Sequence, residues 1–410
     1  GELEVKSGAK LSSSGSSSDA LVFTSIKDST VGGETESGLG SPAARDWIGI
    51  TVLSGGTVDL SGFTLRYGGT PVFFLGGEGE GALKITGGAG SIGSEIVRQL
   101  LSLDVKKVVV YDNSEFLTFN LDQSLREKEI KKARYHLIIG NILDDEKLDK
   151  VVKTEKPDLV FHAAAYKHVY LMEDNPEEAI MNNLVGTKRV VDIAVKNEVK
   201  HFVFISTDKV VNPTSIMGAT KKLGEYYIKF VERKSKTKFT IVRFGNVINS
   251  NGSVLPLFDR QIRENGYVTV THKDIRRYFM SIREASHLVI TSAFYDKKGN
   301  VYVLDMGDLI NIYEVAKCLI RSKSLIPEKD IEIRFIGLKK GEKMIEELFT
   351  KKERENLVKT DIEDILCLKN FGDCPNNIER IIAKLEKLIF GNKSKIRSSL
   401  IKIFPSLLIK

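Results

Sequence analysis

Tryptophan is almost missing from this chain, cysteine is scarce and proline is sparse: one, three and nine residues in 410. The three cysteines (Cys318, Cys367, Cys374) are odd in number and scattered. They exclude a disulfide-stapled secreted scaffold and suit a reducing, cytoplasmic setting. No run of roughly 18 apolar residues occurs, so no integral membrane segment is expected. The chain opens on Gly1 without a signal-peptide pattern, which suggests a processed or truncated start. A hydrophobic share of 42% and a charged share of 28% exclude collagen-like and disordered classes and leave room for two or three domains.

The net charge of +7 hides an asymmetry. Residues 1–80 hold 5 Lys/Arg against 10 Asp/Glu, and the remainder holds 56 against 44. Sixteen of the 34 glycines also fall in the first 80 residues. Two kinds of protein are joined near residue 80.

The first segment alternates with period 2 in short runs: Ile48, Ile50, Val52; Val58, Leu60; Phe63, Leu65, Tyr67. That pattern predicts strands, with Gly55-Gly56 and Gly68-Gly69 as turns. With Phe23–Asp28 and Asp46–Ile50 it resembles coils of bacterial surface parallel β-helices, a short all-β solenoid-like fragment; a Gly/Ser-rich linker is the alternative. The acidic loop Asp28–Glu36 reads as a surface turn, and no metal is expected.

From residue 81 strands alternate with helical stretches. Val108–Tyr111, Leu159–His162, Phe202–Ser206 and Phe239–Phe244 are β-rich runs. Ser94–Leu103 and Asn183–Val195 have helical period. This order predicts an α/β architecture with a parallel sheet covered on both faces. The first unit carries Thr86-Gly-Gly-Ala-Gly-Ser-Ile-Gly93. Gly87, Gly90 and Gly93, directly before a helix, let a pyrophosphate approach the backbone and the helix N-terminus. Asp112 follows at the end of the next strand, placed to grip ribose hydroxyls. No arginine follows it to receive a 2′-phosphate, so NAD is favoured over NADP. The expected fold is thus Rossmann-type and doubly wound. Lys84 is the misfit: it sits in the first strand (Ala82–Thr86), where a lysine is costly unless its end reaches water.

After the strand ending at Ser206 comes Thr207-Asp-Lys209, at a strand's carboxyl end beside the cofactor crevice, where chemistry sits in such sheets. Asp208 and Lys209 are adjacent and can work as an acid–base pair. Met217 and Lys221 follow four residues apart on one helix face. This stretch resembles the extended short-chain dehydrogenase/reductase superfamily, in which Met217 stands where a tyrosine is usual. A thioether exchanges no protons.

Within that superfamily, Phe161–Val169, Asn182–Thr187, Ile205–Lys209, Asn212–Lys221, Arg243–Val247 and Arg277–Met280 are similar to the CapD-like polysaccharide-biosynthesis proteins, over residues 83 to 370. The resemblance implies a nucleotide-sugar 4,6-dehydratase acting on UDP-N-acetylglucosamine with bound NAD. It implies that Lys209 is the base at C5, Asp208 the acid for the departing 6-hydroxyl, Thr207 a partner of the 4-hydroxyl, and Lys221 the holder of the nicotinamide ribose. Cofactor contacts are expected at Gly87, Gly90, Ser91, Ile92, Gly93, Asp112, Asn141, Ile142, Ala163, Ala164 and Lys221. Substrate contacts are expected at Lys167, Asn246, Ser253, Arg277 and Glu342. The methionine variant is associated with a C5-retaining product, but stereochemistry and the acceptor of the 4-hydroxyl proton stay open. Lys339-Lys340 replaces the usual Arg-Pro, and Asn141 the usual Asp. A 4-epimerase, or a surface solenoid fused to an inactive remnant, are the competing readings.

The expected domains are 1–80, a cofactor-binding domain over 81–250, mainly a substrate lobe over 251–390, and a basic tail over 391–410. The tail's alternation of basic and apolar residues fits a frayed end or a membrane-surface helix broken by Pro405. The basic excess suits a polyanionic UDP-sugar and needs no nucleic acid. The resemblance suggests a homo-oligomer.

Overall fold

The computed structural model describes residues 82–408 except 104, 296–300, 370, 372–373, 390 and 392, together with six short strands before them. The chain divides into Gly1–Glu78 and Gly79–Lys410. In the first unit Glu2–Val5, Lys10–Ser12 and Leu21–Phe23 pair in parallel with Gly49–Val52, Thr57–Asp59 and Phe63–Leu65. The β-helix reading of this segment otherwise falls outside the described residues, its acidic loop and its side chains included.

The second unit is built on seven apolar runs that enter one sheet in parallel. They are β1 (Ala82–Thr86), β2 (Lys107–Asp112), β3 (Tyr135–Ile139), β4 (Pro157–His162), β5 (His201–Ile205), β6 (Lys238–Arg243) and β7 (Val301–Leu304). β8 (Leu357–Lys359) and β9 (Ile365–Leu368) close one edge antiparallel. The order is β8-β9-β7-β6-β5-β4-β1-β2-β3. Strand order reverses between β1 and β4, so a crevice opens above their carboxyl ends, where ligands bind in doubly wound sheets. Sequence periodicity predicts β1, β2, β4, β5 and β6 and passes over β3, which buries Tyr135 but exposes His136 and Ile139, and the later strands β7, β8 and β9.

Crossover helices start where short polar side chains cap them. Ser114 accepts from Leu117 N at the head of α1 (Glu115–Glu127), and Asp144 from Lys147 N at the head of α2 (Asp145–Glu155). Before α3 (Thr187–Lys196) the chain winds as a π-helix, Ala179–Gly186. Gly186 passes so close to Ile142 that a Cβ there would lie 2.5 Å from its Cδ1. Ser215 caps α4 (Ile216–Glu232).

The expected 251–390 lobe is not one block of chain. Helix Ile282–Phe294 packs against the sheet, β7, β8 and β9 belong to it, and helix Ile378–Leu388 joins the main core. The lobe proper has its own core of Phe258, Ile262, Val268, Val270, Ile275, Ile312, Ala316, Ile320, Ile331 and Ile333. The tail is also corrected. Lys393–Ile403 is a helix whose Ile396 and Leu400 are fully buried in the main core with Phe404 and Leu407. Its apolar face is covered, so it is neither frayed nor a free membrane-binding stripe. Among the described residues no helix is long and apolar enough to cross a membrane.

Lys84 is 1% exposed on β1, and its ammonium has no hydrogen-bond partner. It lies 4.7 Å from the centre of the Tyr111 ring, a cation–π contact that only partly replaces water. Burial pulls its pKa down to about 7, against a small pull upward from Glu155. The unfolded chain keeps that proton up to about pH 10.4, so the lysine's cost is full below pH 7 and fades as pH rises toward the unfolded value. Lys84→Met should therefore raise stability by a few kcal/mol, on the order of 2–4, at pH 7. The gain should shrink by pH 10, as followed by urea unfolding at several pH values.

Candidate active site

The phosphate-type loop follows from glycine geometry. Gly87 has φ +66°, and a Cβ on it would meet Ala164 N at 2.5 Å. A Cβ on Gly93 would lie 2.2 Å from Gly87 O. Gly90 is the N-terminal cap of helix Ser91–Ser102, in extended conformation and without a side-chain cap. The first turn of that helix therefore presents bare N–H groups to the crevice. Asp112 receives Ala89 N at 3.0 Å and Ser114 N at 2.9 Å, so it braces the loop from beneath.

Above this loop lies a cleft of about 690 Å³, lined from one side by Gly87, Gly90, Ser91, Ile92, Gly93 and Ala163. Its floor holds Thr207, Lys209, Met217 and Lys221, and its far wall Lys167, Asn246, Ser253, Arg277 and Glu342. The fold thus brings most of the expected residues together. Asp112, Asn141, Ile142 and Ala164 are not on the cleft wall. Asn141 is exposed and its Oδ1 accepts from Leu143 N, while the Ile142 side chain is 5% exposed within the core.

Thr207-Asp-Lys209 leaves β5 as a single 3₁₀ turn. Lys209 Nζ donates to Asp208 Oδ1 at 2.9 Å and to Asn246 Oδ1 at 3.0 Å, and lies 3.7 Å from Glu346 Oε1. Thr207 Oγ1 donates to Asp208 Oδ1 at 2.8 Å. Burial acts against charge on Lys209, but Asp208 and Glu346 outweigh it and hold its pKa above the usual lysine value. Burial, with Asp208 adding to it, pushes the Glu346 carboxyl upward despite Lys209 and Arg277.

Asp208, the expected acid, is 1% exposed and stands behind Lys209 rather than on the wall. The carboxyl on the wall beside Lys209 is Glu346, which sequence reasoning missed although it lies four residues after Glu342 in the same loop. Asp208 Oδ2 and Glu346 Oε2 are both buried without a hydrogen-bond partner.

Helix α4 packs tightly under this turn, since a Cβ on Gly218 would lie 2.2 Å from Lys209 O. Met217 and Lys221 sit one turn apart. Lys221 Nζ donates to Ile205 O at 2.7 Å and lies 3.8 Å from the centre of the Phe204 ring. Burial lowers its pKa to about 7, with Glu225 opposing. His162 beneath it accepts from the Thr86 hydroxyl at Nδ1 (2.6 Å) and meets Thr187 Oγ1 at Nε2 (2.9 Å). The Thr187 hydroxyl donates to Asn183 O, so Nε2 carries the hydrogen. Burial depresses this ring's pKa strongly, with Lys221 adding to the effect, and keeps it neutral.

On the far wall, Arg277 and Glu342 are paired with each other at 3.0 Å. Glu342 also accepts from Lys339 N, closing the loop that begins at Gly337 (φ +80°). Lys167 Nζ donates to Ser250 Oγ at 3.3 Å. Ser253 precedes helix Val254–Asn265 without capping it, and its buried hydroxyl has no partner. The π-helical turn supplies Asn183, which accepts from Tyr166 N and donates to Tyr166 O, fixing the Tyr166–His168 wall.

Behind the site lies a buried ionic cluster. Arg243, fully buried, pairs with Glu225 at 2.7 Å and with Glu353 at 2.8 Å. Lys222 joins Glu225 at 3.2 Å, and the Ser206 hydroxyl donates to Glu225 at 2.7 Å. Burial alone would raise Glu225, but Arg243 and Lys222 bring it down to about 2.

A glycine-rich loop at the switch point of a parallel sheet, a lysine one turn below the cleft on α4 and an acid–base cluster after β5 define an extended short-chain dehydrogenase/reductase. Residues 83–370 match the model of the polysaccharide biosynthesis protein family, and the chain belongs to that family. It is similar to the capsular polysaccharide biosynthesis protein CapD of Staphylococcus aureus, 46% identical over 66% of this chain and 45% of the relative. The chain therefore spans less than half the length of that relative. It is 34% identical to a UDP-glucose 4-epimerase of Rickettsia bellii over 66% of this chain and 78% of the relative. The solved structure of Pen from Bacillus thuringiensis superposes with a TM-score of 0.66 at 36% identity, covering 70% of this chain and 88% of that one. Several solved structures of the same fold, at 25% identity or less, contain NAD or NAD+.

Proposed function

We propose that this chain is a nucleotide-sugar 4,6-dehydratase acting on UDP-N-acetylglucosamine in the making of a surface polysaccharide. The observation that carries the reading is the amine of Lys209 on the cleft floor, flanked by the Asp208 and Glu346 carboxyls. A 4-epimerase needs to move only a hydride and the 4-hydroxyl proton. Elimination across C5–C6 needs in addition a base for the C5 proton and an acid for the C6 oxygen, and this cluster supplies both kinds of group.

The glycine loop fits a dinucleotide, because the helix it leads into has no side-chain cap on its first turn and no side chain can stand between Gly87 or Gly93 and the neighbouring backbone. When bound there, NAD takes a hydride from C4 and returns it at C6. Gly87, Gly90 and the first turn of the following helix would hold its pyrophosphate, and Lys221 would face its nicotinamide ribose. Lys167, Ser253 and Arg277 offer cations and a free hydroxyl to a diphosphate. Lys209 is the base at C5, and the 4-ketone makes that proton acidic enough for an amine to remove.

The test is direct. Purified protein incubated with UDP-N-acetylglucosamine and NAD should yield a nucleotide sugar lighter by one water in mass spectrometry. Recovery of an isomer alone would establish the epimerase, and unchanged substrate would rule out both.

A further inference from the structure

We propose that Lys343 is a positioning residue: through the Val211 carbonyl it holds the turn that carries Lys209 in register with the loop that faces the nucleotide. This rests on the dehydratase reading.

Residues 211–214 join the turn after β5 to Ser215, the cap of α4. Asn212 has φ +41°, in the left-handed region that side chains other than glycine seldom enter, and Pro213 has no N–H to give. Local propensity does not hold this stretch; contacts from residues 341–347 do. Lys343 Nζ, on a side chain 12% exposed, donates to Val211 O at 2.7 Å and has Glu347 Oε2 at 3.6 Å. A charged donor makes that the strongest of the ties. Thr214 Oγ1 donates to Gly341 O at 3.2 Å, and Asn212 Nδ2 to Glu347 Oε2 at 3.2 Å. On its other side Val211 N donates to Asp208 O at 3.0 Å and closes the turn. Val211 thus links Lys343 directly to the residues beside the base.

The same loop is fastened to the substrate lobe. Arg276 N donates to Met344 O at 3.0 Å, and Arg277 donates to Met344 O at 3.2 Å and to Glu342 at 3.0 Å. Lys343 therefore stands between the wall that offers its cations to a diphosphate and the turn that holds the base. The fit against α4 is close: a Cβ on Gly341 would lie 2.9 Å from Ser215 Cβ. Lys343 lines the cleft, but its ammonium is engaged by a protein carbonyl. Cutting that tie leaves Lys167 and Arg277 in place and frees the turn to shift. A base displaced from its proton loses rate rather than affinity, because binding contacts elsewhere persist.

The experiment compares the Lys343→Met, Lys343→Arg and Thr214→Val holoenzymes with the parent on UDP-N-acetylglucosamine. Lys343→Met should lower kcat by about 10–10²-fold, with KM and the calorimetric affinity for UDP within about threefold of the parent. The stoichiometry of UDP binding and the content of NAD should stay parental, which a partly unfolded variant would not allow. Lys343→Arg, which can donate to the same carbonyl, should recover most of the lost rate. Thr214→Val cuts the second tie without changing charge and should lower kcat severalfold at unchanged UDP affinity. A weakened UDP affinity in Lys343→Met would make the lysine a ligand cation, and a parental kcat would leave the tie without function; either result overturns the proposal. So would a parental Thr214→Val beside an impaired Lys343→Met, since the loss would then follow charge alone. A parent that releases no water overturns the dehydratase reading and this proposal with it, a distinct outcome read before any variant is compared.

Discussion

Lys209→Ala is expected to abolish dehydration, lowering turnover by at least about 10³-fold, while bound NAD stays at the parental level. The loss combines two effects. The C5 proton loses its acceptor, and general-base removal costs about 10²–10⁴-fold. The Asp208 and Glu346 carboxyls also lose the amine between them, and like charges in a buried site force one of them to hold a proton. Cofactor retention should survive, because Lys209 makes no contact with the glycine loop: its partners are Asp208, Asn246 and Glu346. Turnover by mass spectrometry and NAD released on denaturation measure the two quantities. A variant within tenfold of the parental rate would remove Lys209 from the chemistry.

The second large effect concerns stability. Arg243→Met should destabilise the unit Gly79–Lys410 by about 3–5 kcal/mol, since removing one partner of a buried ion pair strands the other. Glu225 is fully buried, and only Lys222 and the Ser206 hydroxyl would remain beside it. Because Glu225 titrates near 2 when folded, its stabilisation is present above about pH 4.3, the unfolded value, and is lost as pH falls toward 2. The variant should therefore lose part of this acid-side slope as well as absolute stability. Urea unfolding at pH 7 and pH 3 measures both, and adding Glu225→Gln to the variant should recover part of the loss. An unchanged midpoint at pH 7 would mean that the cluster contributes nothing net.

The cofactor half was legible because its signals are local. Gly87, Gly90 and Gly93 are glycines for steric reasons that act within a few residues or against the adjoining Ala164, and β2, β4, β5 and β6 are short apolar runs. Asp208 and Lys209 declared themselves by adjacency. Glu346 could not, because a carboxylate gains a role only when folding removes its water and places it beside Lys209, 137 positions away in sequence. The interleaved lobe was hidden for a similar reason. Helical period shows that Ile282–Phe294 has an apolar face but not which core that face joins. The basic tail misled because charge dominates its composition, while Ile396, Leu400, Phe404 and Leu407 set its position. Lys84, the misfit of the first strand, is buried, and the Tyr111 ring is the contact that accommodates it.

The last helix carries a consequence for the order of events during synthesis. Glu173 receives the amide of Ile216, the first residue of α4, and also pairs with Arg397, 224 positions downstream. A ribosome adds about 5–20 residues per second, and long-range closures follow local ones. The glycine loop, the Thr207–Lys209 turn and α4 all emerge well before Arg397 does. The brace at the head of α4 is completed only when helix Lys393–Ile403 docks, so a nascent chain can hold its local elements for some seconds before the cleft acquires its final support.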